Sequence, residues 1–163
     1  MSRQISELEQ ILQQLIAEHR KLLVYVEAQQ AAMKKFDLKA MGDSANLQEA
    51  CRLRIGTIER RRRVVVTQIA AQLKVAEPVT VSQIAGLYPP RAKALLLLRD
   101  ELKGLAEKIR SSTYVAGKIT GAVLGHLNTV VRLLAGAVEK AGIYNKHGVP
   151  QVSKRIGVME AVG

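Results

Sequence analysis

The first part of the chain repeats apolar residues at steps of three and four, and this spacing restricts the possible folds more than any other sequence feature. The series runs through Ile5, Leu8, Leu12, Leu15, His19, Leu22, Val26, Gln29, Met33 and Phe36. Such spacing lines one side of an α-helix with side chains that a second helix must cover. Residues up to about 36 are therefore predicted to form one long helix. Ile11, Ile16 and Leu23 widen its apolar stripe, so contact with more than one neighbour is expected.

The composition favours the same class of fold. Hydrophobic residues make up 48% of the 163 residues, but aromatic residues only 3%, and there is no Trp. An aliphatic core combined with many Gln, Lys, Arg and Glu residues is typical of helical proteins. We expect an all-α fold, an antiparallel three-helix bundle with coiled-coil-like hairpins.

The second helix is predicted to begin at an N-cap formed by Asp43 or Ser44 and to end before Pro78. Its apolar series is less regular, with Arg62 where an apolar residue is expected; it runs through Leu47, Cys51, Ile55, Ile58, Val65, Ile69 and Leu73. The connector up to Pro90 is predicted to hold one short helical turn, capped by Thr80 or Ser82.

A third helix is predicted after the double proline, since proline favours the first turn of a helix. Its apolar series continues through Leu95, Leu98, Leu102, Leu105, Ile109, Ser112, Ala116, Ile119, Val123, His126, Val130, Leu133 and Ala137. It is the longest of the three, so part of it is expected to project or bend. Gly117, Gly121 and Gly125 lie four apart on it. They either weaken a surface turn or let another backbone approach closely, and both interpretations stay open.

The residue pattern argues against catalysis. His19, His126, His147 and Cys51 lie on different elements, and no two of them have the spacing of metal ligands. The carboxylates are scattered over helix faces, and no glycine-rich phosphate loop follows a strand. We therefore expect no enzyme activity, no metal and no cofactor.

The sequence also predicts a cytoplasmic location. The N-terminal segment is polar from its start, unlike a signal peptide, and no uninterrupted apolar run reaches the roughly 18 residues that a membrane span needs. The chain has a single cysteine, which fits a reducing compartment. No membrane insertion is expected.

The net charge of +11 is spread along the chain and concentrated only at Arg60–Arg63. Four consecutive residues fan around a helix, and no aromatic residues lie between them to stack on bases. A solvated ring of charge, partly neutralised by Glu59, is the favoured interpretation, so no nucleic acid is expected as a partner. A basic nucleic-acid-associated or scaffolding protein that uses these arginines stays the alternative. A self-associating coiled-coil protein is a third, weaker one.

The last residues differ from the rest of the chain. Gly142 is placed to stop the third helix, and the turn residues NKHG follow. Apolar residues then recur at helical spacing, at Val149, Val152, Ile156, Met159 and Val162. A segment of about 14 residues is too short for a stable isolated helix. We predict a helical bundle over residues 1–141 and a flexible tail over 142–163 that folds on a partner, with packing on the bundle or fraying as the alternative.

Several segments together resemble a known family. They are LEQILQQLIAEHRKLLVYVEAQQAAM, LQEACRLRIGTIERRRRVVV with its step from Glu59 to Arg62, the long leucine-rich third helix, and GIYNKHG with its turn from Tyr144 to Gly148. The chain is similar to the FlgN family of flagellar export chaperones. Members of that family hold the hook-associated proteins FlgK and FlgL in the cytoplasm before type III secretion.

This resemblance implies a site and a set of partners. The third helix and the tail would cover the C-terminal amphipathic helix of a client, which prevents its premature assembly or degradation, and deliver the client to the export gate. The implied client contacts are Val123, Leu127, Leu134, Val149, Val152, Ile156 and Met159. Tyr144 would dock at the export gate.

Overall fold

The computed structural model describes residues 1–142, with side chains described through Gly136. It contains four α-helices in this range: α1 (Ser2–Lys34), α2 (Leu38–Leu73), α3 (Val81–Leu87) and α4 (Ala92–Gly142), with a 3-10 turn at Pro89–Arg91 before α4. No strand occurs among the described residues. The predicted all-α class is confirmed. The chain divides into two compact units, Met1–Ile119 and Thr120–Gly163, and α4 contributes to both.

Helices α1 and α2 form an antiparallel hairpin in the first unit. Their cross-helix contacts join Glu7 to Arg61 and Glu18 to Arg54, so the partner number falls as the α1 number rises. The apolar series of α1 lies in the core, where Ile5, Leu8, Ile11, Leu12, Leu15, Val65 and Ile69 are buried. The predicted series is confirmed as far as Met33. Phe36 does not belong to it, because the helix ends at Lys34 and the Phe36 side chain is exposed.

The start of α2 differs from the prediction. Neither Asp43 nor Ser44 is the N-cap; both lie inside the helix, which begins at Leu38. The cap is Asp37, whose carboxylate accepts a hydrogen bond from the Ala40 amide at 3.0 Å. The turn before it is tight because Phe36 adopts the left-handed region, with φ of 55°. Polar residues and a glycine made this first part of α2 look like a loop, but a short turn and a good cap continue the hairpin directly into the helix.

Helix α3 is the short turn predicted in the connector, and its cap is Thr80. The Thr80 Oγ1 accepts a hydrogen bond from the Gln83 amide at 3.2 Å, while the Gln83 Oε1 accepts one from the Thr80 amide at 2.8 Å. This reciprocal pair is a capping box, and it satisfies two backbone donors that the helix leaves unpaired. The cap holds α3 so that Ile84 and Ala85 are buried in the same core as Leu95 of α4.

The first part of α4 runs parallel to α1. Three contacts show this: Arg91 pairs with Glu9, Arg20 with Glu101, and the Gln30 side chain donates to the Ser112 carbonyl, at separations of 82, 81 and 82 positions. A nearly constant separation means that the two helices rise together. With α2 antiparallel to α1, the unit Met1–Ile119 is the predicted three-helix arrangement. Leu95 is fully buried there, and Leu98, Leu102, Leu105 and Ile109 are half-buried.

Candidate protein-binding face

The second unit exposes an apolar stripe on α4. Leu124, Leu127, Val131 and Leu134 follow one another at steps of three, four and three, which places them on one side of the helix. Their exposed fractions are 60%, 48%, 47% and 61%. We call these four residues the open face. Spacing of this kind is what one amphipathic helix presents to another in a helical interface.

The surroundings of the open face carry little charge. Between Thr120 and Gly136 the sequence contains one charged residue, Arg132, and no carboxylate. The Thr129 hydroxyl donates to the Gly125 carbonyl at 3.0 Å, so it is paired within its own helix. Because few polar groups would lose their hydration, covering this face with an apolar partner has a low desolvation cost.

The three glycines of α4 that lie four apart have open space where a side chain would begin. A Cβ atom added at Gly117, Gly121 or Gly125 meets no atom within 4 Å. For Gly117, in the first unit, this excludes close packing against another described helix of that unit. Close approach by a partner stays a prediction.

Two of the predicted client contacts lie on the open face. These are Leu127 and Leu134, whereas Val123 is half-buried at its edge. The predicted contacts Val149, Val152, Ile156 and Met159, and the predicted docking residue Tyr144, lie outside the described residues and stay predictions.

Sequence reasoning missed Leu124 and Val131. The predicted apolar series passed instead through His126 and Leu133, and both of these side chains are exposed on another side of the helix. The signal was present, because the steps from Leu124 to Leu134 follow the heptad pattern. The predicted series continues the spacing of the first part of α4, which packs in the core of the unit Met1–Ile119. Nothing in the sequence marks the residue at which this core packing ends.

A polar cluster centred on the buried Glu18 joins α1 to α2. The Glu18 carboxylate accepts hydrogen bonds from Lys21 Nζ at 2.8 Å, Arg54 Nε at 2.9 Å and the Cys51 thiol at 3.4 Å. The hydrogen bond from Lys21 is the main cause that lowers the pKa of Glu18 to about 2, against the opposing effect of burial, and Arg54 and Cys51 lower it further.

The Cys51 thiol in this cluster is buried and donates a hydrogen bond to the Glu18 carboxylate. Burial, and then the hydrogen bond to Glu18, raise the pKa of the thiol. The His19 ring is paired within its own helix, since its Nδ1 lies 2.7 Å from the Leu15 carbonyl oxygen. Among residues 1–142, no group of three or more His, Cys, Asp or Glu side chains is arranged to hold a metal ion.

The four arginines at 60–63 do not act as a unit. Arg61 pairs with Glu7 at 2.7 Å and Arg62 with Glu59 at 2.9 Å, so two of the four are held in ion pairs. Arg60 donates to the Thr57 hydroxyl at 3.1 Å, and Arg63 is exposed. The expected partial neutralisation by Glu59 is therefore seen, and Glu7 adds to it.

Helix α4 also contains a stretch that is apolar enough to cross a membrane by length and composition. Within Pro89–Gly136, an 18-residue window has a mean hydropathy of 1.2, and none of it is buried. A single helix of this kind is weak evidence for a span, because core helices of soluble proteins meet the same criteria. The exposed apolar character fits a binding face equally well.

An exposed apolar stripe on a helical protein is typical of a protein-interaction surface. The comparison with known families specifies the class further: the family model described as FlgN protein matches residues 1–151. The chain therefore belongs to the FlgN family of flagellar export chaperones. No curated protein and no solved structure matches the chain.

Proposed function

We propose that this chain is a cytoplasmic chaperone of flagellar type III secretion that binds the C-terminal amphipathic helix of the hook-associated proteins FlgK and FlgL. By covering that helix it prevents premature assembly or degradation, and it then delivers the client to the export gate. The observation that carries the proposal is the open face, an uncovered heptad stripe on a helix with almost no charge around it.

The energetics of the open face support a role for the tail as well. Each of its four side chains is already about half covered, so full burial adds about 1 kcal/mol apiece, or about 4 kcal/mol in total. Micromolar affinity requires about 8 kcal/mol after the costs of association. Further apolar contacts are needed, and Val149, Val152, Ile156 and Met159 are the residues proposed to supply them by folding over the client helix. Tyr144 is proposed to dock the loaded chaperone at the export gate.

The test is calorimetric titration with a peptide that copies the C-terminal helix of FlgK from the same source. Leu127→Asp places a charge in the open face and is expected to weaken binding at least tenfold, because a buried unpaired carboxylate is costly. The control is Leu97→Asp, at a leucine that is 62% exposed on the first part of the same helix, and it is expected to leave affinity unchanged.

Two further arms complete the test. A chain ending at Ala141 is expected to bind much more weakly, and salt is expected to change the affinity little because apolar burial dominates. Equal affinities for both aspartate variants and for the intact chain would contradict the proposed site.

The alternative function, nucleic-acid association or scaffolding through Arg60–Arg63, predicts the opposite salt response. Phosphate contacts weaken steeply as salt rises, since binding releases counterions. Two of the four arginines are already in ion pairs, which disfavours this alternative. Salt-sensitive binding to duplex DNA, together with no binding of the FlgK peptide, would support it.

A further inference from the structure

The outer side of α2 carries exposed apolar and basic residues together. Leu53 and Val64 are 65% and 58% exposed, and Arg60 lies between them on the same side of the helix. Arg52 and Arg63 follow one edge of this stripe, as the angle of about 100° per residue requires. We call these five residues the outer α2 face. It points away from α1, because the opposite side of α2 contributes the buried residues Cys51, Val65 and Ile69.

The charge of this face is not neutralised within the described part of the chain. Arg54, Arg61 and Arg62 have carboxylate partners at 2.7–2.9 Å, whereas no described ion pair includes Arg52, Arg60 or Arg63. Two carboxylates lie nearby: Glu49 is on the same side of the helix, and Glu59, four positions before Arg63, lies at the edge but pairs with Arg62. The face is therefore positive, and its two aliphatic side chains are largely exposed.

We infer that the outer α2 face is a second docking site, for an acidic amphipathic helix of another protein. Such a helix would place its apolar stripe on Leu53 and Val64, and its carboxylates would reach Arg52, Arg60 and Arg63. The face spans about three helical turns, or roughly 18 Å, which is a typical length for a helix-to-helix contact. In helix-to-helix docking of this kind the apolar residues supply most of the affinity. Charge complementarity selects the partner and speeds association.

The charges on the chain itself argue against other occupants. The tail carries Lys146, Lys154 and Arg155 against the single Glu160, and a second copy of the chain brings a net charge of +11. Both would be repelled by this face. Helix α2 contains no aromatic residue to stack on bases, and the aliphatic side chains at the centre of the face would interrupt a line of phosphate contacts.

This site is separate from the one proposed for clients, because it lies on α2 in the first unit and uses none of the residues of the open face. Loss of client binding at the open face therefore does not imply loss of binding at the outer α2 face, and the reverse also holds. The four-arginine run, which the proposed chaperone function does not use, has two roles here: Arg61 and Arg62 pair within the chain, and Arg60 and Arg63 face a partner.

The test uses the full chain and a fluorescent helical peptide with leucine at its a and d positions and glutamate at most others. The triple variant Arg52→Gln, Arg60→Gln and Arg63→Gln is expected to weaken binding of this peptide about tenfold, because it loses three surface ion pairs with the peptide. The control variant Lys93→Gln, Lys108→Gln and Arg110→Gln removes the same charge from exposed positions of α4 and is expected to have little effect. Leu53→Ala with Val64→Ala is expected to weaken binding about tenfold at unchanged charge.

Further probes separate the possible occupants. A glutamate peptide of equal charge without leucines is expected to bind weakly. Any affinity of the chain for a DNA duplex or for phosphatidylserine vesicles is expected to be unchanged by Leu53→Ala with Val64→Ala. Circular dichroism melting curves confirm that every variant is folded, and the FlgK peptide is expected to bind the triple glutamine variant normally.

Three results would overturn the inference. The first is equal affinity of the acidic amphipathic peptide for the two triple variants. The second is loss of that peptide's binding in Leu127→Asp alone, which would place it on the open face. The third is tighter, arginine-dependent binding of the DNA or the vesicles, which would assign the face to a nucleic acid or a lipid surface.

Discussion

Glu18 is the residue that joins the most interactions in the helical hairpin. It is buried on α1 and accepts hydrogen bonds from Lys21 on its own helix and from Cys51 and Arg54 on α2. A buried carboxylate is stable only when such partners replace its hydration. Because these partners are present only in the folded chain, the low pKa of Glu18 contributes to stability in a pH-dependent way.

The first prediction concerns Glu18→Gln. The pKa of Glu18 falls from 4.5 to about 2 on folding. Its stabilisation is therefore fully present above pH 4.5 and is lost as the pH falls towards 2. The pKa shift contributes about 2 kcal/mol to the free energy of unfolding. This is less than the full shift would give, because Lys21 and Arg54 are about half exposed and solvent screens their interaction with Glu18. Urea unfolding at neutral pH should show Glu18→Gln less stable by about that amount.

The comparison at low pH and a control complete this prediction. Near pH 2 the difference in unfolding free energy between Glu18→Gln and the parent chain should shrink to a small value. Glu27→Gln, at an exposed position of the same helix, should differ little from the parent at either pH. If the difference in unfolding free energy between Glu18→Gln and the parent chain stays constant with pH, the ionised carboxylate of Glu18 is not the source of the stabilisation.

Helix α3 shows how a short element can have a large structural effect. It has seven residues, which is too short for stability on its own, yet its Ile84 is fully buried beside Leu95. Its stability therefore comes from the capping box at its start and from the core contacts of Ile84 and Ala85. The double proline that follows lies in the 3-10 turn Pro89–Arg91, which leads directly into α4.

The second prediction is that Thr80→Ala loosens α3 locally. Loss of the cap should cost about 1 kcal/mol, because the Gln83 amide loses its partner. Hydrogen exchange at the Ile84 and Tyr88 amides, which bond to Thr80 and Ile84 carbonyls, should accelerate roughly fivefold. Thr67→Ala, at an exposed threonine inside α2, is the control and should leave these amides unchanged. Unchanged exchange in Thr80→Ala would show that the core contacts alone hold α3.

At the scale of the whole molecule, burial is unevenly distributed. Most of the buried apolar side chains belong to the unit Met1–Ile119, while the described part of Thr120–Gly163 exposes most of its large ones. A chain that used all its apolar residues for its own core would bury both sets. The division is the one that the proposed function requires, with the core in one unit and an exposed apolar face in the other.

The third prediction compares two leucine truncations. Leu12→Ala leaves a cavity in the core and should cost about 2–5 kcal/mol in urea unfolding. Leu124→Ala, at a leucine that is 60% exposed, should change stability by no more than about 0.5 kcal/mol. Similar costs for both truncations would mean that the open face is covered by the chain itself, and would argue against its role in client binding.

Features that depend on neighbouring residues in the chain could be predicted from the sequence. Apolar residues three and four apart predicted the long helices, Thr80 was one of the two predicted caps of α3, and the double proline predicted the start of α4 shortly after it. These signals are readable because helix formation and capping depend on groups within about four positions of each other. Leu127 and Leu134 came from the family resemblance, and both lie on the open face.

Tertiary contacts decided the remaining features. Asp37 begins α2 in place of the predicted caps because the turn after α1 closes tightly, with the Asp37 amide bonded to the Ala32 carbonyl at 3.0 Å. Glu7 holds Arg61 across 54 positions, which no local pattern indicates. The sequence alone determined that α4 has an apolar stripe. Only the structure determined which part of it is covered, because helical spacing specifies a face to be buried but not the neighbour that buries it.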